Sequence, residues 1–520
     1  MIKEIKIFDS TLRDGAQGEG ISFSVNDKLK IVAALDNLGI AYIEAGNPGS
    51  NVKDLEFFEK LKSMELKNSK IVAFGSTRRK NITADLDPNV ASLLEADTPA
   101  IAIFGKTWDF HVTDIIKTTL EENLKMIYDT ILYLKSMGKE IIFDAEHFFD
   151  GYKSNPEYAM KALKSAVDGG ADAIVLCDTN GGTFPGAVYD ITRRVSDSFN
   201  IEVGIHCHND CGMAVANSIM AVNAGSTHVQ GTFIGFGERC GNANLSTIIP
   251  NLQLKMNLKC VPNEQIQHLT RAARYISEIS NLQLFHGMPY VGNGAFAHKG
   301  GMHIDGVSKA SNSFEHISPQ SVGNQRRFLM SEVSGKSTVL PLINKIDNTI
   351  SKNSPEAQKI IDKLKELEHK GYQYEGAEAS FELVIRKFLG KYIPPFEIDY
   401  FKTIGEHSTI GNDFTASSII KVIVDDKEEI TAEQGNGPVN ALNKSLRKAL
   451  EIFYPQLKEV HLTDYKVRVL DAENATSAKV RVLIESTDGK DSWTTVGVST
   501  DIIEASLIAL KDSIEYKLLE

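Results

Sequence analysis

Over its first 250 or so residues the chain alternates short, nearly continuous apolar runs with longer amphipathic stretches, and this alternation constrains the fold more than any other feature. Eight runs read as strands: IKIF from Ile5, YIEA from Tyr42, IVAF from Ile71, IAIF from Ile101, IIFDA from Ile141, AIVLC from Ala173, VGIHCH from Val203 and HVQGTFI from His228. The stretches between them read as helices. One is capped by Ser24, carries Leu29, Val32 and Leu35 on one stripe and stops at Gly39; another runs from Leu120 to Met137 and stops at Gly138. Eight strand–helix units in this length predict a closed (β/α)8 barrel, with an open doubly wound sheet as the alternative.

Past Asn257 the pattern changes. The stretch GNGAFAHKGGMHIDGVSKASNS from Gly292 reads as a long Gly- and Ser-rich loop, and loops of that length carry function. Helices are predicted from Ser354 and Pro355 to Gly371 and from Glu375 to Leu389; KYIPPFE, with Pro394 and Pro395, reads as a linker. After it come strands around Ile419, Tyr465, Ala478 and Trp493, a helix from Pro438 to Phe453 and a final helix, an α+β pattern. The predicted division is a barrel domain over 1–275, a helical connecting region with an active-site loop over 276–395, and a C-terminal domain over 396–520.

The 520-residue chain has 56 basic and 68 acidic side chains, a net charge of −12 that argues against general nucleic-acid binding and against attachment to an anionic membrane. No apolar run approaches the roughly 18 residues that span a bilayer, and MIKEIKIFDS lacks the core of a signal peptide, so a cytoplasmic protein is expected. Five cysteines without repeated spacing predict inert core thiols rather than a disulfide framework.

His206 and His208 stand two apart on a predicted strand, so both imidazoles face one way, inward at the C-terminal mouth of a barrel. Such a pair suits one divalent metal with a carboxylate from another strand end; an HxH pair in isolation is as often a pair of core or surface histidines. FDSTLRDG, ending the first strand, brings Asp9, Arg13 and Asp14 to the same mouth, Asp14 as a candidate ligand and Arg13 as a fork for a substrate carboxylate or oxyanion. A salt-bridged loop would use the same residues. Polar groups recur where the fifth and sixth strands end, at Asp144, Glu146, His147, Asp178 and Thr179. GFGERCGNA after the eighth strand does not match a dinucleotide fingerprint, and its Asn242 is either a metal or ligand contact or a loop-stabilising amide. Arg78, Arg79 and Lys80 read as a solvated charge run, with phosphate contact as the alternative; His303 is a candidate proton-transfer group on the Gly-rich loop.

These motifs together resemble a known family. LRDGAQ with Lys28, and HCHNDCGMAVAN, resemble the paired motifs of the α-isopropylmalate, homocitrate and citramalate synthases. GFGERCGNA, DAEHFFDGYK, FGKTWDFHV, HKGGMHIDGVSK and GNGPVNALNKSLRKAL look most like the citramalate synthase branch, which condenses acetyl-CoA with pyruvate. The resemblance implies Asp14, His206 and His208 as metal ligands with Asn242 close to or completing the set, the metal being Mn, Mg or Zn. It implies Arg13 and Thr179 as keto-acid contacts, Glu146 and His303 as groups that activate the acetyl methyl, and Glu44 as a site carboxylate. It further implies a homodimer whose C-terminal domain binds an allosteric effector, isoleucine. Ala16 stands where many relatives have Glu, and Phe314 where Tyr is expected. Other acceptors, 2-oxoisovalerate or 2-oxoglutarate, fit the same motifs; a metal hydrolase of the amidohydrolase type places HxH after the first strand rather than the seventh, and a non-enzymatic sensor would not need Arg13, Asp14, His206 and His208 all intact.

Overall fold

Each of the eight apolar runs forms a strand: β1 (Lys6–Asp9), β2 (Tyr42–Gly46), β3 (Lys70–Ser76), β4 (Ala100–Lys106), β5 (Glu140–Glu146), β6 (Ala173–Asp178), β7 (Glu202–Cys207) and β8 (His228–Gly231). Every strand pairs in parallel with its sequence neighbour, and β8 returns to β1 from Lys6↔His228 to Asp9↔Gly231, closing the barrel. This computed structural model describes residues 3–49, 52–329, 336–351, 354–374, 376–407, 414–470 and 478–519.

The runs are apolar on both faces because both faces are buried. Ile7, Ile43, Ile101, Ile103, Phe143, Ile174, Leu176 and Ile205 point out into the layer beneath the helices, while Phe8, Tyr42, Val72, Ala102, Ile142, Val175 and Cys177 fill the interior. At the N-terminal end His228, 1% exposed, fills the barrel axis with its ring 5.3 Å from that of Phe8 and 5.6 Å from that of Tyr42. The helix Val25–Leu38 has the expected ends: Ser24 and Asp27 form a reciprocal capping box, and Gly39 takes the left-handed conformation at φ 89°.

The described chain falls into two compact units, one of Met1–Phe296 with Ile317–Gln325, the other of Ala297–His316 with Arg326–Glu520. In the second, β9 (Ala297–His298) pairs with β10 (Arg327–Phe328). Two modules of three antiparallel strands and a helix follow. In the first, β11 (Glu397–His407), β12 (Phe414–Val424) and β13 (Lys427–Gly435) carry the helix Pro438–Leu450, with Thr431 donating to the Ser445 carbonyl at 2.6 Å. In the second, β14 (His461–Val469), β15 (Val480–Thr487) and β16 (Ser492–Ser499) carry the helix Ile502–Leu519, with Thr495 donating to the Ala509 carbonyl at 2.7 Å. The fold is thus a TIM barrel with helices and a C-terminal α+β part, and among the described residues no helix is long and apolar enough to cross a membrane.

Several local expectations are corrected. The stretch from Gly292 is not a bare loop: it holds β9 and the helix Gly301–Lys309, so His303 is helical. The helix expected from Glu375 begins at Glu378, because Gly376 sits at φ 76° and Ala377 is not helical; Glu375 itself lies outside the described residues. Arg78 is not a solvated charge. It is 3% exposed and bridges Glu122 at 2.8 Å and Asp129 at 2.9 Å, pinning the third strand's loop to the helix Leu120–Ser136. Cys177, Cys207 and Cys260 are core thiols as expected, but Cys211 and Cys240 are exposed.

Candidate active site

Strand alternation builds the site. Inward positions below the mouth are apolar, and the next inward position up each strand is polar or aromatic: Glu44, Phe74, Phe104, Asp144, His206 and Gln230, with Glu146, Thr179 and His208 one step higher. A cavity of about 340 Å³ lies there, lined by Arg13, Asp14, Glu146, Thr179, His206 and His208 together with Phe74, Phe104 and Asp144.

The loop after β1 is folded by its own polar groups. Ser10 donates to Glu44, accepts from the Asp14 amide at 3.2 Å, and its carbonyl accepts from the Gly15 amide at 3.0 Å. Gly15 is required because a Cβ there would stand 2.8 Å from the Phe236 ring. Arg13 is thereby turned inward: its Nε donates to Glu44 at 2.7 Å, its Nη1 lies 3.2 Å from Asp14, and its guanidinium sits 3.8 Å from the centre of the Phe74 ring. Burial works against the Arg13 charge, but Glu44 and Asp14 outweigh it and hold the guanidinium protonated beyond its ordinary range. Glu44, fully buried, lies behind Arg13 and does not line the cavity.

Asp14, His206 and His208 converge. Asp14 Oδ2 is 3.4 Å from His206 Nε2 and 3.7 Å from His208 Nε2, and the two imidazole nitrogens are 3.4 Å apart. Burial would raise the Asp14 pKa, but Arg13 and the two imidazoles hold it well below the usual carboxylate range. His208 is pushed down to about 4, by burial first and by the neighbouring His206 second, so it is a neutral donor at neutral pH. Asp14 Oδ1, His208 Nδ1 and both side-chain polar atoms of Asn242 are buried without a hydrogen-bond partner. Asn242 is held alongside by an antiparallel bridge to His208, and Gly237 leaves room for it, since a Cβ there would come within 2.2 Å of Asn242 Nδ2. Orphaned lone pairs beside one carboxylate and two imidazoles are the donor set of a divalent cation site.

Glu146 is ion-paired to Lys106, and Thr179 accepts from the His147 amide at 2.9 Å, which leaves the Thr179 hydroxyl proton free to donate. Two further buried acids stand on β5 and β1. Asp144 is pushed up to about 7, chiefly by burial and then by Glu44, and Asp9 likewise to about 7, chiefly by burial, against hydrogen bonds from Thr11. Eight of the nine sequence-derived site residues thus belong to the barrel unit. His303 belongs to the second unit, its ring stacked on Phe314 at 4.1 Å and 19°. Sequence reading passed over Gln230 and Lys106; Lys106 is the lone polar side chain of β4, and Gln230 stands two residues after His228 on β8, so the two share a face, and those were the available signals.

A model of the HMGL-like family matches residues 4–276. The (R)-citramalate synthase of Aquifex aeolicus (strain VF5) is 54% identical over 521 residues, spanning 100% of this chain and 99% of that one. The chain belongs to the HMGL-like family, in its citramalate synthase branch. The branch's (R)-citramalate synthase from Geobacter sulfurreducens (strain ATCC 51573 / DSM 12127 / PCA) is 50% identical, over 99% of this chain and 97% of that one. The probable 2-isopropylmalate synthase of Methanosarcina mazei (strain ATCC BAA-159 / DSM 3647 / Goe1 / Go1 / JCM 11833 / OCM 88) is more distant, 31% identical over 98% and 94%. Beyond the barrel, residues 290–372 match the homocitrate synthase post-HMGL domain-like model and residues 375–518 the LeuA allosteric (dimerisation) domain. HMGL-like enzymes use a divalent metal, in keeping with the Asp14, His206 and His208 cluster.

Proposed function

We propose that this chain condenses acetyl-CoA with pyruvate and water to give (R)-citramalate and free CoA, the first step of a threonine-independent route to isoleucine. The observation that carries this reading is the 54% identity over the full length to an (R)-citramalate synthase. The cavity geometry supports a mechanism. A divalent cation held by Asp14, His206 and His208, with Asn242 beside them, would supply Lewis acidity at the acceptor's carbonyl.

The chain's own residues do the rest. Arg13, fixed from behind by Glu44 and from beneath by the Phe74 ring, offers its remaining N–H groups to the keto acid. The Thr179 hydroxyl donates to the keto acid's carboxylate, its oxygen being occupied by the His147 amide. A base takes a proton from the acetyl methyl, His303 favoured and Glu146 the competitor. The enolate carbon bonds to the keto carbon, whose oxygen becomes the product hydroxyl. Hydrolysis of the citramalyl thioester then breaks the C–S bond and releases CoA. Residues 276–395 serve as the connecting region in this scheme, and the segment from 396 as a dimerising domain that binds isoleucine and lowers activity.

The test is CoA release from acetyl-CoA with pyruvate, 2-oxoisovalerate and 2-oxoglutarate in turn. Pyruvate is expected to give the highest kcat/KM and (R)-citramalate the only product; a higher value with either larger acid overturns the assignment.

A further inference from the structure

One hydrogen-bonded chain in the barrel is left over by this mechanism. His206 Nδ1 lies 3.0 Å from Gln230 Oε1, and Gln230 Nε2 donates to Asp144 Oδ1 at 2.9 Å. All three side chains are buried, and they come from β7, β8 and β5, with His206 opposite Gln230 in the β7–β8 ladder. An imidazole facing an amide oxygen through Nδ1 must carry its proton there, which leaves the Nε2 lone pair directed at Asp14 and His208. The amide could instead be turned over only by setting its oxygen against Asp144. In its ionised form Asp144 can only accept, so it faces the Gln230 NH2 and not the amide oxygen.

We infer that Gln230 is a positioning residue that locks His206 in the Nδ1–H tautomer, and that Asp144 sets the direction of its amide, so that the pair governs cation affinity without touching the cation. The inference rests on the metal-site reading above. An outer hydrogen bond of this kind is typically worth 10- to 100-fold in metal affinity.

The experiment is a titration of metal-stripped full-length protein with Mn²⁺ alone, by equilibrium dialysis, together with NMR of the ¹⁵N-labelled histidine rings to read the His206 tautomer. Gln230→Leu should weaken Mn²⁺ binding about 10-fold or more and let the Nε2–H form of His206 appear. Asp144→Asn keeps the side chain's size but can face Gln230 with a donor, so the amide can turn over; the Nε2–H form of His206 should appear and Mn²⁺ binding should weaken severalfold, which tests the idea even if the leucine variant fails to fold. A folded Gln230→Leu protein with unchanged affinity and tautomer overturns the inference, as does an Asp144→Asn protein in which both are unchanged. A His208→Ala control separates the two levels: if it leaves Mn²⁺ binding intact, the metal site itself is misassigned.

Discussion

His228 offers a stability test that is remote from the catalytic mouth. Its imidazole closes the barrel axis between Phe8 and Tyr42, and burial first, with Lys6 second, pushes its pKa down to about 3. In the unfolded chain it titrates near 6.5. The unfolded state therefore binds the extra proton between these values, and stability that is complete above pH 7 is lost as the pH falls. Linkage puts the loss at about 2 kcal/mol at pH 5 and about 3 kcal/mol at pH 4. Asp9 and Asp144, raised to about 7, act with the opposite sign: the folded state takes up their protons first, so they add stability as the pH falls through 7. The readout must therefore be a difference. Urea unfolding of the parent and of His228→Gln, both in a Trp493→Phe background so that Trp108 reports on the barrel, should be compared at pH 7.5 and pH 5. The glutamine variant should lose about 2 kcal/mol less between the two pH values, since the carboxyl contributions cancel. Equal losses, within about 0.5 kcal/mol, would refute the claim that folding buries a neutral imidazole.

Other expectations concern the mouth. Asp14→Asn should abolish turnover and Mn²⁺ binding while leaving the circular dichroism of the barrel unchanged, because it removes a ligand and not a packing group; retained metal and turnover would exclude the site. His303→Ala should lower kcat by about 10²-fold or more if it is the base, whereas a change confined to the acetyl-CoA KM would make it a binding residue. Glu44→Ala removes one of the two carboxylates paired with the buried Arg13, leaving Asp14, and should cost about 1.5 to 3 kcal/mol of stability as well as raise the pyruvate KM; urea unfolding and steady-state kinetics read the two effects.

How much of this could be read from the residues alone varied with what each segment buries. The barrel strands were legible because both faces are covered, so that IAIF or AIVLC has no helical reading short enough to compete. The histidine pair was legible because a period of two fixes a common face. β13 was not, since in KEEITAEQG only Thr431 and Gly435 are buried and the rest shows no apolar alternation. The helix around His303 was hidden by the glycines Gly300, Gly301 and Gly306, which suggest a loop. Gly306 is tolerated there because a Cβ would stand 2.6 Å from the Phe314 ring that stacks on His303. Arg78 looked like one of three surface charges because its partners, Glu122 and Asp129, lie more than forty residues away in the chain. Glu44 could be placed at a strand end, but its position behind Arg13, out of the cavity, depends on the loop geometry set by Ser10.

The backbone passes between the two compact units three times, after Phe296, after His316 and after Gln325. The short return, Ile317–Gln325, is not decoration on the barrel unit: Val322 is fully buried in its core, the Val322 carbonyl accepts from Thr270 at 2.7 Å, and the Asn324 amide donates to the carbonyls of Tyr290 and Gly292 at 2.7 and 3.0 Å. No single division of the gene can therefore yield either half whole. A fragment ending at Phe296 forfeits this plug, and one extended to Gln325 carries along the helix of His303 without β10, to which β9 is paired. Evolution by exchange of regulatory modules would face the same restriction, so recombination that preserves the barrel must break downstream of Gln325, and the segment that carries His303 is inherited with it.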